Sequence, residues 1–289
     1  MACIEKIYSV SALVGNGDCN ANCNFCAGKY LRPQANNGKE LYHKNLEAAI
    51  KLSARHGGWS LSLTSSGEPT CDPDSLTDAL KVYKKCADQG AYFPNVNLFT
   101  NGILFGDENF CNKYLDKWKY LGLNNIAVSI HSVKEEEQAE VYGIEHYPNL
   151  EDIVSNVEKH GLGVRGTLLL RKDGVDTPNK YEHAINTLIE KGIDNITSWP
   201  VGNPDNSRNK HTPSRINLFK IKRWLRKNAT LCHGHVWGGG VFDYNGNIVR
   251  ITDYVTKHNR RKDFVRQLVV FQDATVAYSW IKEGALCLK

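Results

Sequence analysis

Apolar and polar positions follow two rhythms that alternate along the chain. Tyr8-Ser9-Val10-Ser11-Ala12-Leu13-Val14 alternates through Ser11 and then runs apolar, which predicts a first strand. After a cysteine-rich loop, Leu46-Glu47-Ala48-Ala49-Ile50-Lys51-Leu52 repeats at helical spacing and closes near Gly57-Gly58. Trp59 to Ser65 alternates again, and Asp72-Pro73-Asp74-Ser75 is a helix start leading to Leu80, Val82 and Tyr83. Val96 to Phe99 is a third strand, followed by a helix carrying Phe110, Tyr114, Leu115 and Trp118. Ile126 to Ile130, Gly163 to Leu170 and Asn195 to Val201 are the fourth to sixth strands. Helices are expected at Leu150–His160, Tyr181–Lys191 and about Ser214–Lys227.

Strands that alternate with helices predict βαβ units and a parallel sheet. Six units are too few for the eight-unit barrel, so the fold class is α/β, an open, partial (β/α)6 TIM-like barrel over residues 1–228. After residue 228 the rhythm changes. Gly240 to Arg250 places Asn245-Gly246 between apolar arms and predicts a β-hairpin, and Val265 to Tyr278, turning near Gln272-Asp273-Ala274, is a second. Residues 229–289 are therefore expected to form a short, β-hairpin-rich C-terminal extension covering the barrel mouth.

Composition narrows the setting. No run of about 18 apolar residues exists, so no membrane span is expected. Met1 to Lys6 lacks a basic segment followed by an apolar block, against a secretory signal. The 9 cysteines are odd in number and unevenly spaced, unlike a disulfide framework, which points to a reducing, cytoplasmic location. Charge is divided: residues 203–289 carry 16 Lys and Arg against 6 Asp and Glu, while residues 1–202 carry 20 against 25. A basic C-terminal third suits an anionic partner, and equally a solvated basic face.

The chemistry concentrates in Cys19-Asn20-Ala21-Asn22-Cys23-Asn24-Phe25-Cys26, within the loop 15–30 that follows the first strand. Three thiolates on one short loop can bind three corners of an iron–sulfur cube, leaving one iron open. They could also bind zinc with a fourth ligand such as Cys71 or His43. The loop's position favours the first reading, because barrel sites are built at the C-terminal ends of the strands.

This spacing, with Phe25 before the last cysteine, resembles the radical S-adenosylmethionine superfamily. Further segments of residues 7–202 recur in that family's order. Ser66-Gly67-Glu68-Pro69-Thr70 is similar to its Gly-Gly-Glu motif, with Ser66 in place of the first glycine. Thr100-Asn101-Gly102, Ser129-Ile130-His131-Ser132, Arg165 to Arg171, and Trp199-Pro200-Val201-Gly202 follow, each at a predicted C-terminal strand end. The resemblance implies a 4Fe-4S cluster on Cys19, Cys23 and Cys26, with the amine and carboxylate of S-adenosylmethionine on the fourth iron. Reduction by a partner such as flavodoxin or ferredoxin would cleave the cosubstrate to methionine and a 5′-deoxyadenosyl radical, which takes hydrogen from a substrate.

By the same resemblance, Ser66, Gly67 and Glu68 would receive the methionyl amine, and Thr100 and Asn101 belong to the cofactor-binding rim. Ser129 and His131 would touch the ribose, the Phe25 backbone would face the adenine, and Val201 would close the sixth strand end. Either Arg165 or Arg171 would pair with the methionyl carboxylate.

The tail bears on the substrate. Arg215, Lys220, Lys222, Arg223, Arg226 and Lys227 share the last helix, and Lys257, Arg260, Arg261, Lys262 and Arg266 follow, with Trp224, Trp237, Tyr244 and Tyr254 nearby. Basic and aromatic residues together suit bases and phosphates. The substrate expected first is a nucleotide, RNA or phosphorylated metabolite. The alternatives are a peptide or amino acid, or a non-catalytic iron–sulfur or zinc protein that binds nucleic acid. His233-Gly234-His235 and Gly238-Gly239-Gly240 form either an anion-binding loop or a linker, and Cys232 and Cys287 are poor material for a second cluster.

Overall fold

A computed structural model describes residues 6–31, 38–203, 205, 207–235, 239–252 and 264–282, and the backbone of 286–288. Lys257, Arg260, Arg261, Lys262, Tyr254, Trp237 and Gly238 lie outside the described residues. The elements run β1 (Lys6–Ile7), β2 (Ser9–Leu13), α1 (Lys39–Arg55), β3 (Ser60–Thr64), α2 (Pro73–Asp88), β4 (Asn95–Thr100), α3 (Glu108–Tyr120) and β5 (Asn125–Ile130). They continue with α4 (Glu135–Tyr142), α5 (Leu150–Glu158), β6 (Gly163–Leu170), α6 (Pro178–Glu190), β7 (Asn195–Pro200) and α7 (Arg215–Asn228). The remaining strands are β8 (Thr230–Gly234), β9 (Gly240–Tyr244), β10 (Asn247–Ile251), β11 (Phe264–Val265), β12 (Leu268–Val270), β13 (Val276–Ala277) and β14 (Leu286–Leu288).

Strands β2 to β7 lie side by side in sequence order, every neighbour parallel, as six βα units require. On each strand one set of alternate residues faces the helices. Val10, Leu61, Leu98, Val128, Leu168 and Ile196 are all fully buried there. The opposite set lines the concave side and mixes polar residues, Ser11, Ser62, Asn97, Ser129, Thr167 and Thr197, with a few apolar ones such as Phe99 and Trp199. That polarity makes the concave side a surface for a ligand rather than a packed core.

Local signals start the helices where the sequence places them. Asp72 accepts from Ser75 N at 3.1 Å and Ser214 accepts from Asn217 N at 3.1 Å, each occupying an otherwise orphaned helical N–H. Helix α1 begins two turns before the expected Leu46, because in Lys39 to Asn45 only the adjacent Leu41 and Tyr42 are apolar and no helical stripe can be read. Helix α4 is not foreseen at all. Its Glu135-Glu136-Glu137 start suits a helix N-terminus but carries no apolar periodicity.

Strands β8 to β10 and β12 to β14 of the extension join the same sheet, while β11 pairs with β1 in a separate two-stranded one. β10 pairs parallel with β7, and β12 pairs parallel with β2, so the extension adds strands to both edges of the six-strand core. Both expected hairpins form: β9–β10 turns through Asn245 and Gly246 at φ 53° and 82°, and β12–β13 through Ala274 at φ 67°. Edge pairing covers the open strand edges of the partial barrel. Among the described residues no helix is long and apolar enough to cross a membrane.

Candidate active site at the barrel rim

The cysteine loop is held against the strand ends by backbone contact. Glu68 N donates to Asp18 O at 2.7 Å, and a Cβ on Gly67 would stand 2.1 Å from that same oxygen. A Cβ on Gly28 would stand 2.3 Å from Ser66 O. Glycine is therefore required on both sides of the interlock, Gly28 on the loop and Gly67 at the strand end. Asn101 Nδ2 donates to Asn20 Oδ1 at 2.7 Å, Asn22 N donates to Tyr142 O at 2.7 Å, and Lys29 Nζ donates to Cys23 O at 3.1 Å. Tyr142 belongs to α4, so the helix that the hydrophobic pattern did not show is one of the loop's anchors.

Cys19, Cys23 and Cys26 are thiols rather than disulfides. The Cys23 thiol is pushed up to about 12, first by burial and then by the neighbouring Cys26 and Cys19. Three thiols close enough to repel one another as thiolates form a donor set that a cationic cluster would neutralise. Cys71, like His43 a candidate fourth ligand in the zinc alternative, sits beside the loop and accepts a hydrogen bond from the Asn20 backbone. Among the described residues, no three His, Cys, Asp or Glu side chains converge as ligands of a single ion do. Ligands to three different irons of a cube need no such convergence.

Glu68 is 4% exposed and tightly engaged. Its Oε1 accepts from Thr70 N at 3.1 Å, Thr70 Oγ1 at 2.7 Å and Thr100 Oγ1 at 2.6 Å, and its Oε2 accepts from Asn101 N at 2.7 Å. Burial raises its pKa and these donors oppose the rise. Thr100 and Asn101, expected at the cofactor, have side chains engaged in this box and in the loop. Ser66 Oγ donates to Gln272 Oε1, and Ser129 O accepts from Gln138 Nε2 and Tyr142 Oη. Val201 is buried at the end of β7, where its N–H donates to Leu170 O and its carbonyl accepts from Thr212 Oγ1.

Phe25 is the hub of the other half. Its ring lies 5.1 Å from the His131 ring, 5.3 Å from the His211 ring and 5.9 Å from the Arg171 guanidinium. Burial lowers the His131 imidazole to about 3, with Arg171 adding repulsion, so it is neutral at pH 7. His131 Nδ1, His211 Nε2 and Arg171 Nε are all buried without a hydrogen-bond partner. These residues open on a cavity of about 690 Å³ between the β5 and β6 strand ends, α4 and α6. Native proteins rarely bury such atoms unpaired, which makes this cavity the candidate binding site. His211 was not legible in the sequence; only the fold brings the loop after β7 against Phe25.

Arg165 lies near the start of β6 and Arg171 just past its end, six residues on and roughly 20 Å along the chain. Arg171 joins Phe25 and His131. Arg165 lies deeper, 5.2 Å from the Phe99 ring, with burial and the nearby Arg250 lowering its pKa to about 10.

The model of the radical SAM superfamily matches residues 14–211, which spans the cysteine loop and five of the six core strands, β3 to β7. The chain belongs to the radical SAM superfamily. The family's cofactor pair is a 4Fe-4S cluster and S-adenosylmethionine, the pair the cysteine loop implies. The chain is 26% identical over 215 residues to a probable GTP 3′,8-cyclase of Sulfurisphaera tokodaii, covering 73% of this chain and 61% of that protein. It is 27% identical over 141 residues to the GTP 3′,8-cyclase of Pasteurella multocida, covering 49% of this chain and 37% of that protein. The chain thus spans about three fifths of the first relative's length. Among solved structures, anSMEcpe with bound AdoMet superposes at a TM-score of 0.60 and 14% identity, covering 95% of this chain and 74% of that one. SuiB of Streptococcus suis bound to S-adenosylmethionine does so at 0.61 and 12%, covering 94% and 60%. These two likenesses speak for the fold.

Proposed function

We propose that this chain is a radical enzyme that cleaves S-adenosylmethionine at a 4Fe-4S cluster on Cys19, Cys23 and Cys26 and takes hydrogen from a nucleotide or other phosphorylated substrate. The observation that carries this reading is the group of unmet polar atoms around Phe25, beside the three thiols. When bound and reduced, the cluster supplies the electron that splits the cosubstrate into methionine and a 5′-deoxyadenosyl radical.

The chain's own residues orient and shield. Arg171, at the rim and with an unpaired Nε, is the fork for the methionyl carboxylate. Neutral His131 holds the ribose side by hydrogen bonding, with the Ser129 segment beside it, and Phe25 flanks the adenine. The Ser66-Gly67-Glu68 segment receives the methionyl amine, with Glu68 as the buried negative charge near it. The residues of the Glu68 box keep the cysteine loop fixed against the rim, which limits reorganisation when the cosubstrate binds. The electron comes from a carrier such as flavodoxin or ferredoxin in a reducing cytoplasm.

The nucleotide reading rests on the similarity to proteins named GTP 3′,8-cyclase and on the basic C-terminal third. Its test is isotopic. Reconstituted enzyme is given GTP carrying deuterium on the ribose, with reductant and cosubstrate. Deuterium in the 5′-deoxyadenosine supports a nucleotide substrate. Unlabelled 5′-deoxyadenosine, formed at the same rate with and without GTP, contradicts this choice of nucleotide.

A further inference from the structure

Two arginines face the concave interior, and no acid among the described residues balances them. Arg165 on β6 makes no hydrogen bond among the described residues, and its Nε is buried without a partner. Arg250 on β10 donates, among the described residues, only to the amide oxygen of Asn195. Burial is the main influence on both guanidiniums, and the one charge acting on Arg165 is Arg250; no carboxylate among the described residues acts on either. Register brings hydroxyls to the same place. Thr167 pairs with Thr197, and Thr197 pairs with Arg250, so the three side chains form a row across β6, β7 and β10. The Oγ1 atoms of Thr167, Thr197 and Thr252 are also buried without partners.

Such a cluster is unfavourable when empty. Two desolvated like charges repel, and each orphaned polar atom adds a desolvation cost. Strain of this kind persists where a ligand relieves it. The unmet donors also indicate the ligand. Two guanidiniums and three hydroxyls offer more hydrogen bonds than the two oxygens of one carboxylate need, and they suit the oxygens of a phosphate.

We infer that Arg165 and Arg250, with Thr167, Thr197 and Thr252, form a phosphate-binding site inside the barrel that anchors the substrate by its phosphate group. This inference rests on the phosphorylated-substrate reading above and gives Arg165 a role apart from the cosubstrate, whose carboxylate falls to Arg171. A substrate held there by its phosphate extends toward the rim, where Arg171 and Phe25 stand. Arg250 comes from the C-terminal extension, so the strand added at the sheet edge contributes directly to recognition.

The test uses reconstituted full-length enzyme with inorganic tripolyphosphate as the probe, read by calorimetry and by thermal unfolding. Wild type should bind the probe, less tightly as salt rises, and its melting temperature should rise on binding. Arg165→Gln and Arg250→Gln should each weaken binding at least about tenfold. Each should also melt no lower than wild type without the probe, because a buried, unpaired charge has been removed. Affinity for S-adenosylmethionine, measured in parallel, should fall for Arg171→Gln and not for Arg165→Gln.

Arg165→Lys and Arg250→Lys, which keep the charge, should recover part of the binding and guard against a folding artefact. Equal binding by wild type and both Gln variants would overturn the site while leaving a phosphorylated substrate tenable. Absence of binding by wild type, in protein that still makes 5′-deoxyadenosine, would overturn both the site and the phosphorylated-substrate reading.

Discussion

Ser66 Oγ donates a 2.6 Å hydrogen bond to Gln272 Oε1, joining positions 206 apart in the chain. The same Gln272 side chain donates through Nε2 to Gly15 O at 2.8 Å and Val14 O at 3.1 Å. One amide from the C-terminal extension thus ties the start of the cysteine loop to the Ser66-Gly67-Glu68 segment. Replacing Gln272 with Ala leaves two backbone carbonyls and a hydroxyl without these partners. Unfolding in denaturant should show a loss of about 1–3 kcal/mol. The variant should also retain less iron after reconstitution and gel filtration. Wild-type iron content together with wild-type stability would rule out this tie as a support of the loop.

Gly67 offers a sharper probe of the interlock. A methyl group there meets the Asp18 carbonyl at 2.1 Å and the Gly17 carbonyl at 2.3 Å, both backbone atoms that cannot rotate away. Gly67→Ala must therefore push the loop off the strand end. The expected result is a folded protein, shown by circular dichroism, that takes up less than half the iron of wild type. Full iron uptake would mean that the loop docks elsewhere.

His131 predicts a pH dependence. The unfolded chain protonates this imidazole near 6.5, whereas burial and the Arg171 charge hold it at about 3 in the fold. Its contribution is fully present above pH 6.5. It is lost as pH falls from there toward 3, because the unfolded state alone takes up the proton. The slope from this residue is at most about 1.4 kcal/mol per pH unit. Urea unfolding of the apoprotein at pH 7 and pH 5 should show a larger loss for wild type than for His131→Asn. Equal losses would mean that His131 titrates alike in both states.

The six-strand core was legible because period-two alternation and helix starts such as Asp72-Pro73 are local signals. Tyr142 and Gln138 were not, because α4 is acidic and lacks an apolar stripe. The extension's hairpins could be read from Asn245-Gly246 and Gln272-Asp273-Ala274, but their parallel pairing with β7 and β2 is a non-local contact that no short segment encodes. Arg250 was hidden for the same reason. The cysteines were legible through spacing, whereas His211 reaches Phe25 only through the packing of the loop after β7. Glu68, Thr100 and Asn101 could be placed at the rim from sequence; that they bond chiefly to one another required coordinates.

The most direct measurement of the central claim is anaerobic reconstitution with iron and sulfide, followed by reduction in the presence of S-adenosylmethionine and quantification of 5′-deoxyadenosine. The account predicts about four irons per chain and 5′-deoxyadenosine formation, both lost when Cys19, Cys23 and Cys26 are replaced by Ala. A protein that instead retains one zinc on these cysteines and forms no 5′-deoxyadenosine would contradict it.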